Sequence, residues 1–228
     1  MIPREHLDTA EVPGGEPLRL VRRGADFMIV LDRNELMNSR MSGSEAALAT
    51  MTVERLKARA PRLLIGGYGM GFTLRAALAV LPGDAQVVVA ELVPKIIDWA
   101  RGPMAELTAG CLDDPRVTVR IGDVGAAIRE GRGPEGRGAY DAILLDVDNG
   151  PDGLTRPGND GLYSAGGLAA SVAALRPGGV LAVWSAAPDA AFRRRMGEAG
   201  LAVEEVAVRA RANGKGPRHV IWFGRRRG

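Results

Sequence analysis

From residue 62 onward, short apolar runs alternate with segments of helical spacing, a pattern that predicts βα units on a parallel sheet. The runs Arg62–Ile65, Gln86–Glu91, Val117–Ile121, Tyr140–Asp146, Val180–Ala186, Ala202–Val208 and His219–Phe223 read as strands. Helices are expected at Phe72–Leu81, Pro94–Ala105, Val124–Glu130, Ala165–Ala174 and Asp189–Ala199. Pro94 suits a first helical turn, Ser164 and Asp189 are capping residues, and Gly200 suits a left-handed helix end. The last two strands are joined only by the turn-rich stretch Arg209–Pro217, so they should pair antiparallel. The expected fold is α/β, a seven-stranded, doubly wound, Rossmann-like sheet whose ligands bind beyond the carboxyl ends of the strands near the switch point.

Ahead of this core, Leu18–Val21 and Phe27–Leu31 flank a polar turn and predict a β-hairpin, to which Leu36–Ser39 could add a strand. A small N-terminal β element over residues 1–43 is therefore expected before a Rossmann-like domain over 44–228. Ser42 and Glu45 have the spacing of a capping box, opening a helix that runs toward Ala60 and stops at Pro61. His6 falls in a flexible terminus and His219 opens the last strand, both outside the chemistry. Trp99, Trp184 and Trp222 read as core or interface residues.

Composition narrows the function classes. Of 228 residues, 46% are hydrophobic and 25% charged, which excludes disorder and collagen-like structure. No apolar run approaches the ~20 residues that cross a bilayer, so no membrane partner is expected. The opening residues lack the basic start and apolar run of a secretory signal, and Cys111 is the only cysteine, so the expected location is cytoplasmic. Net charge is +3, with 3 lysines beside 27 arginines. Arg193–Arg195 falls on a helix face and Arg225–Arg227 in a frayed end, which argues against a nucleic-acid partner. No metal-ligand spacing occurs.

The candidate chemistry lies after the strands. Gly66-Gly67-Tyr68-Gly69-Met70-Gly71 links the first strand to a helix and allows backbone to approach a ligand closely, or makes only a tight turn. Glu91, 20 residues on at the end of the second strand and followed by Leu92, can accept both hydroxyls of a ribose. Gly122-Asp123 ends the third strand, and Asp123 either receives an exocyclic amine or caps the next helix. The fourth strand delivers Asp146 to the same rim, with Asp148 and Asp152 either nearby or, with Asn149, ordinary turn residues beside Gly150-Pro151. Clustered carboxylates there favour a cationic partner or a metal, and partly buried ones can have raised pKa values suited to taking a proton. Tyr68, Met70 and Phe72 face either the ligand or the core beneath the loop.

The sequence resembles the spermidine synthases and their class I S-adenosylmethionine-dependent methyltransferase relatives, from about Leu18 to the C-terminus. The resemblance rests on Leu64–Arg75 with the glycine turn, Glu91-Leu92-Val93-Pro94, Asp113–Val117 and Gly122-Asp123. It continues through Tyr140–Asp146, Gly150-Pro151, Leu162-Tyr163-Ser164 and Leu175–Leu181. It implies Glu91 on a ribose, Asp123 on an adenine, Asp146 at the reacting centre with Asp148 beside it, and a homodimer. The donor implied is S-adenosylmethionine or its decarboxylated form, and the acceptor a small-molecule amine. Departures occur where Met70 replaces the family's loop Asp, Asn149 its second acid, and Gly43-Ser44 a Tyr-His pair. Aminopropyl transfer to a polyamine is put first. Methyl transfer to a small molecule or RNA, and a non-catalytic adenosyl-binding protein, stand as alternatives.

Overall fold

The computed structural model describes residues 2–133, 138–147, 151 and 160–228. The elements in chain order are β1 (Glu5–Ala10), β2 (Leu18–Arg23), β3 (Asp26–Leu31), β4 (Asn34–Asn38), α1 (Gly43–Glu54), β5 (Arg62–Gly66), α2 (Phe72–Val80) and β6 (Gln86–Glu91). They continue with α3 (Pro94–Arg101), α4 (Ala105–Thr108), β7 (Val117–Ile121), α5 (Val124–Glu130), β8 (Tyr140–Leu145) and α6 (Asp160–Tyr163). The last are α7 (Ala165–Ala174), β9 (Leu175–Ser185), α8 (Ala190–Glu198), β10 (Leu201–Arg209) and β11 (Arg218–Arg226). Among the described residues no helix is long and apolar enough to cross a membrane.

Seven strands form one sheet in the order β10-β11-β9-β8-β5-β6-β7, parallel except for β11, which pairs antiparallel with both neighbours. Every residue of β8 is buried, as a strand covered on both faces requires. Successive side chains alternate between two cores. Leu63, Ile65, Ala142 and Leu144 pack with Leu48 of α1 and Leu74 of α2. Leu64, Ile143 and Leu145 pack on the other face with Ile128 of α5, Leu168 of α7 and Phe192 of α8. The chain leaves β5 toward β6 and β7, then returns to β8 on the opposite side. The switch point is therefore between β5 and β8, and their carboxyl ends open a crevice.

The N-terminal element is larger than a hairpin. β1 joins β2, β3 and β4 in a separate four-stranded antiparallel sheet. The β1 sequence is mostly polar because it forms an edge with only Ala10 buried, so its hydrophobic pattern is weak. His6 belongs to this strand and contacts Thr9 Oγ1 at 2.9 Å, which corrects its placement in a flexible end.

Five local expectations also change. Ser42 stands before α1 but its side chain caps nothing, and Glu45 turns inward instead of closing a capping box. α1 ends at Glu54 rather than near Ala60: the Arg55 guanidinium folds back onto Met51 O and Glu204 and stacks over Phe223 at 4.0 Å. The helix starting at Pro94 stops at Arg101, because Gly102-Pro103 removes an N–H and disfavours helical backbone ahead of the proline. β9 begins at Leu175, paired to Tyr140, and takes in Arg176–Gly179 through an irregularity before Val180. The arginine tail is not frayed either: Arg225 and Arg226 lie in β11 and donate to backbone carbonyls, including Gly178 O, Arg55 O and Val172 O. The caps at Ser164 and Asp189 form, through Gly167 N and Phe192 N, and Gly200 is left-handed with φ +89°.

Candidate active site

The crevice at the switch point is lined by Gly67, Gly69, Glu91, Leu92, Asp123 and Asp146, which the sequence singles out. Gly67 has φ +81°, and a Cβ there would stand 2.7 Å from the Asp146 carbonyl oxygen, so the turn from β5 requires glycine. Gly71, at φ +76°, precedes α2. Gly66, Gly122, Tyr68, Met70 and Gly71 do not line the cavity. The Tyr68 ring is buried with its hydroxyl 3.4 Å from Cys111 Sγ, and Met70 is buried in the core beneath the loop.

Glu91 is buried, and both of its oxygens accept backbone N–H groups: Oε2 from Tyr68 at 2.9 Å and Oε1 from Val93 at 2.8 Å. It thereby ties the glycine turn to the start of α3. Burial pushes its carboxyl above the usual range, opposed by the N–H groups of Val93 and Tyr68. The N–H groups of Gly69 and Leu92 oppose it as well, so backbone from both turns surrounds the carboxyl. Asp123 Oδ1 caps α5 by accepting from Ala126 N at 2.9 Å, while the residue also borders the cavity. The capping and the ligand-facing readings of Asp123 thus coexist.

Asp146 follows β8 and accepts from the Thr73 hydroxyl of α2 at 2.6 Å. Beside it stands Glu45 of α1, whose Oε2 accepts from Ser44 Oγ at 2.7 Å. Burial first and the negative charge of Asp146 second push the Glu45 carboxyl up. Burial likewise pushes Asp146 up, with the Thr73 hydroxyl opposing. Two adjoining carboxyls of this kind favour holding one proton between them, an arrangement that can take a proton from a bound cation near neutral pH. Asp148 lies outside the described residues, as do Asn149 and Asp152.

Several residues in and around the cavity come from places the strand-end reading did not reach. Val12, Gly15, Glu16, Leu18, Leu31, Leu36 and Met37 of the N-terminal sheet form one wall. Met37 reaches over the glycine turn, so a Cβ at Gly69 would meet its Cε at 2.8 Å. In the sequence Glu45 reads as a helix-start acid and Ser44 as part of the Gly43-Ser44 departure just before it, and nothing in the local sequence of Thr73 or His219 marks them as site residues. His219 is drawn in by tertiary structure: its Nδ1 lies 2.9 Å from Ser44 Oγ. Among the described lining residues there are four carboxylates, Glu16, Glu91, Asp123 and Asp146, and no lysine or arginine.

No family model matches the chain. Among characterised proteins it is 31% identical over 169 residues to a polyamine aminopropyltransferase of Mycobacterium tuberculosis, covering 74% of this chain and 31% of that protein. It is 30% identical over 181 residues to one of Corynebacterium efficiens, covering 76% of this chain and 32% of the relative. A third, from Nitrosomonas europaea, is 34% identical over 128 residues, covering 55% and 35%. The chain thus spans about a third of the length of the curated relatives it matches. Among solved structures, spermidine synthase from Thermotoga maritima superposes with a TM-score of 0.76 at 18% identity, over 96% of this chain and 72% of that one. A spermidine synthase in complex with the transition state analogue AdoDATO gives 0.75 at 17%, with the same coverage. Those structures share the fold, both the seven-stranded sheet and the separate N-terminal sheet. In sequence the chain is similar to polyamine aminopropyltransferases over about three quarters of its length, and its fold is that of the spermidine synthases.

Proposed function

We propose that the protein is an aminopropyltransferase that moves the aminopropyl group of decarboxylated S-adenosylmethionine onto a polyamine amine. The observation that carries this reading is the charge of the cavity. Among the described residues, four carboxylates and no lysine or arginine line it, so this lining favours a cationic donor over one that also carries a carboxylate. The names of the curated relatives support the same reaction.

In this reading Glu91 receives the ribose hydroxyls, Leu92 and Val124 supply apolar walls for the adenine, and Asp123 takes its exocyclic amine. The sulfonium donor is already a strong alkylating agent, so the protein's task is to align an acceptor lone pair opposite the breaking C–S bond and to exclude water. The N-terminal wall with Met37 covers that centre. The acceptor arrives as an ammonium, gives a proton to the Asp146–Glu45 pair, and attacks. The new C–N bond forms as the C–S bond breaks, and the nucleoside leaves as a neutral thioether.

Calorimetric titration with the two donors tests the reading. The expected result is tighter binding of the decarboxylated donor and its turnover with a diamine. Preference for intact S-adenosylmethionine would turn the assignment to methyl transfer, and binding of neither would remove the adenosyl site.

A further inference from the structure

The hydrogen bonds around Glu45 continue away from the cavity to a group that the reaction above does not use. Ser44, wholly buried in the first turn of α1, sits between two titratable side chains. Its Oγ donates to Glu45 Oε2 at 2.7 Å and lies 2.9 Å from His219 Nδ1, a contact spanning 175 residues of chain. A hydroxyl carries one proton. While that proton is given to an ionised Glu45, the contact to His219 is a hydrogen bond only if Nδ1 carries a proton and donates it.

The surroundings hold the imidazole for this role. Trp184 of β9 stands edge-on to the ring, 4.7 Å between centroids and 80° between planes. Val208 faces His219 across β10, and β11 itself is paired along both edges. Burial also pushes the imidazole toward its neutral form, which must choose one tautomer. On the far side, Thr73 donates to Asp146 Oδ2, so each acid of the pair has one oxygen occupied by a hydroxyl donor.

We propose that His219, in its Nδ1–H tautomer, is a positioning residue that acts through Ser44: by donating to Oγ it directs the serine proton onto Glu45 Oε2 and keeps that oxygen an acceptor. The proton that the carboxyl pair takes up is then confined to the remaining oxygens, those not occupied by Ser44 and Thr73. No bond to carbon changes in this step, and the imidazole stays neutral throughout. The kinetic part of the inference rests on the transfer reaction proposed above, while the tautomer does not.

The chain has two histidines, so ring 15N spectra are readily assigned with a His6→Ala variant. At a pH just above neutral, with no ligand added, His219 is expected as the Nδ1–H tautomer, changing to mainly Nε2–H in Ser44→Ala. An Nε2–H signal in the parent protein, or a spectrum that Ser44→Ala leaves unchanged, would overturn the proposal. In the transfer assay, His219→Ala is expected to move the acid limb of the kcat profile upward by roughly one pH unit with KM unchanged. His219→Asn, whose amide can donate from the Nδ1 position, should restore it. An inactive parent protein would defeat the transferase reading while the spectra still decide the tautomer, whereas an active parent with superimposable profiles for all variants would defeat His219.

Discussion

The two halves of the cavity are assembled differently. On the Glu91 side, Gly67, Glu91 and Asp123 each sit at or just past a strand's carboxyl end, and the side-chain bonds run to backbone of the strand-to-helix turns: Glu91 to Val93 and to Tyr68 of the neighbouring turn, Asp123 to Ala126. On the acid-rich side, Asp146 is held by a hydroxyl 73 residues away, and Ser44 by an imidazole 175 residues away. The first half follows from the β–turn–α repeat itself, so it forms wherever such a sheet forms. The second exists only once α1, α2, β8 and β11 have packed, so it can vary without disturbing the sheet. Under the proposed transfer reaction, donor recognition and acceptor chemistry would therefore rest on separable parts of the molecule.

The sharpest way to break that comparison is at the seam. Asp146→Asn is expected to cut turnover by ~100-fold or more while leaving nucleoside affinity nearly intact, measured by steady-state kinetics beside calorimetry. Loss of both together would mean that the halves are not separable. Gly67→Ala acts on the other half. A side chain at φ +81° that meets the Asp146 carbonyl at 2.7 Å should cost about 2–3 kcal/mol in thermal or denaturant unfolding and weaken the donor site.

pH sharpens the comparison from the acid side. Burial pushes Glu45 up to about 7 and Asp146 up to about 6, above their values in an unfolded chain. The folded protein thus holds protons that the unfolded chain has lost. The stability contributed by the pair is fully present below the ordinary carboxylate range and is lost as pH rises through about 6 to 7. Under the proposed transfer reaction, activity should run the other way, rising over the same window as the pair becomes able to accept a proton. Glu45→Gln should flatten the pH dependence of the melting temperature, while nucleoside affinity at the Glu91 side stays level.

The smallest effect separates two helix starts that look alike in sequence. Asp189→Ala removes a cap bond to Phe192 N and should cost about 1 kcal/mol, whereas Ser42→Ala removes none and should cost under about 0.5 kcal/mol. Paired denaturant titrations decide it.

How much was legible follows the same division. β6, β7, α5 and α7 stand where the hydrophobic pattern places them, because strands buried on both faces and amphipathic helices must carry their apolar residues at fixed periods. The capping box at Ser42 misled because the same acid can serve a local bond or a distant one. Glu45 is turned inward beside Asp146, and only packing reveals that choice. β1 escaped notice because an edge strand needs little apolar surface, and His219 because its partner lies on another element.

The sequence alone determined the order of βα units, the antiparallel final pair, the glycine turn and the acids at three strand ends. All of these depend on periodicity and on residues within a few positions of one another. The tertiary structure decided which carboxyls share the centre, that Met37 and the N-terminal sheet wall it, and that Ser44 and His219 stand behind Glu45. Those choices are set by side chains meeting across elements, where the burial of one group changes the charge and hydrogen bonding of another, and no local pattern records them.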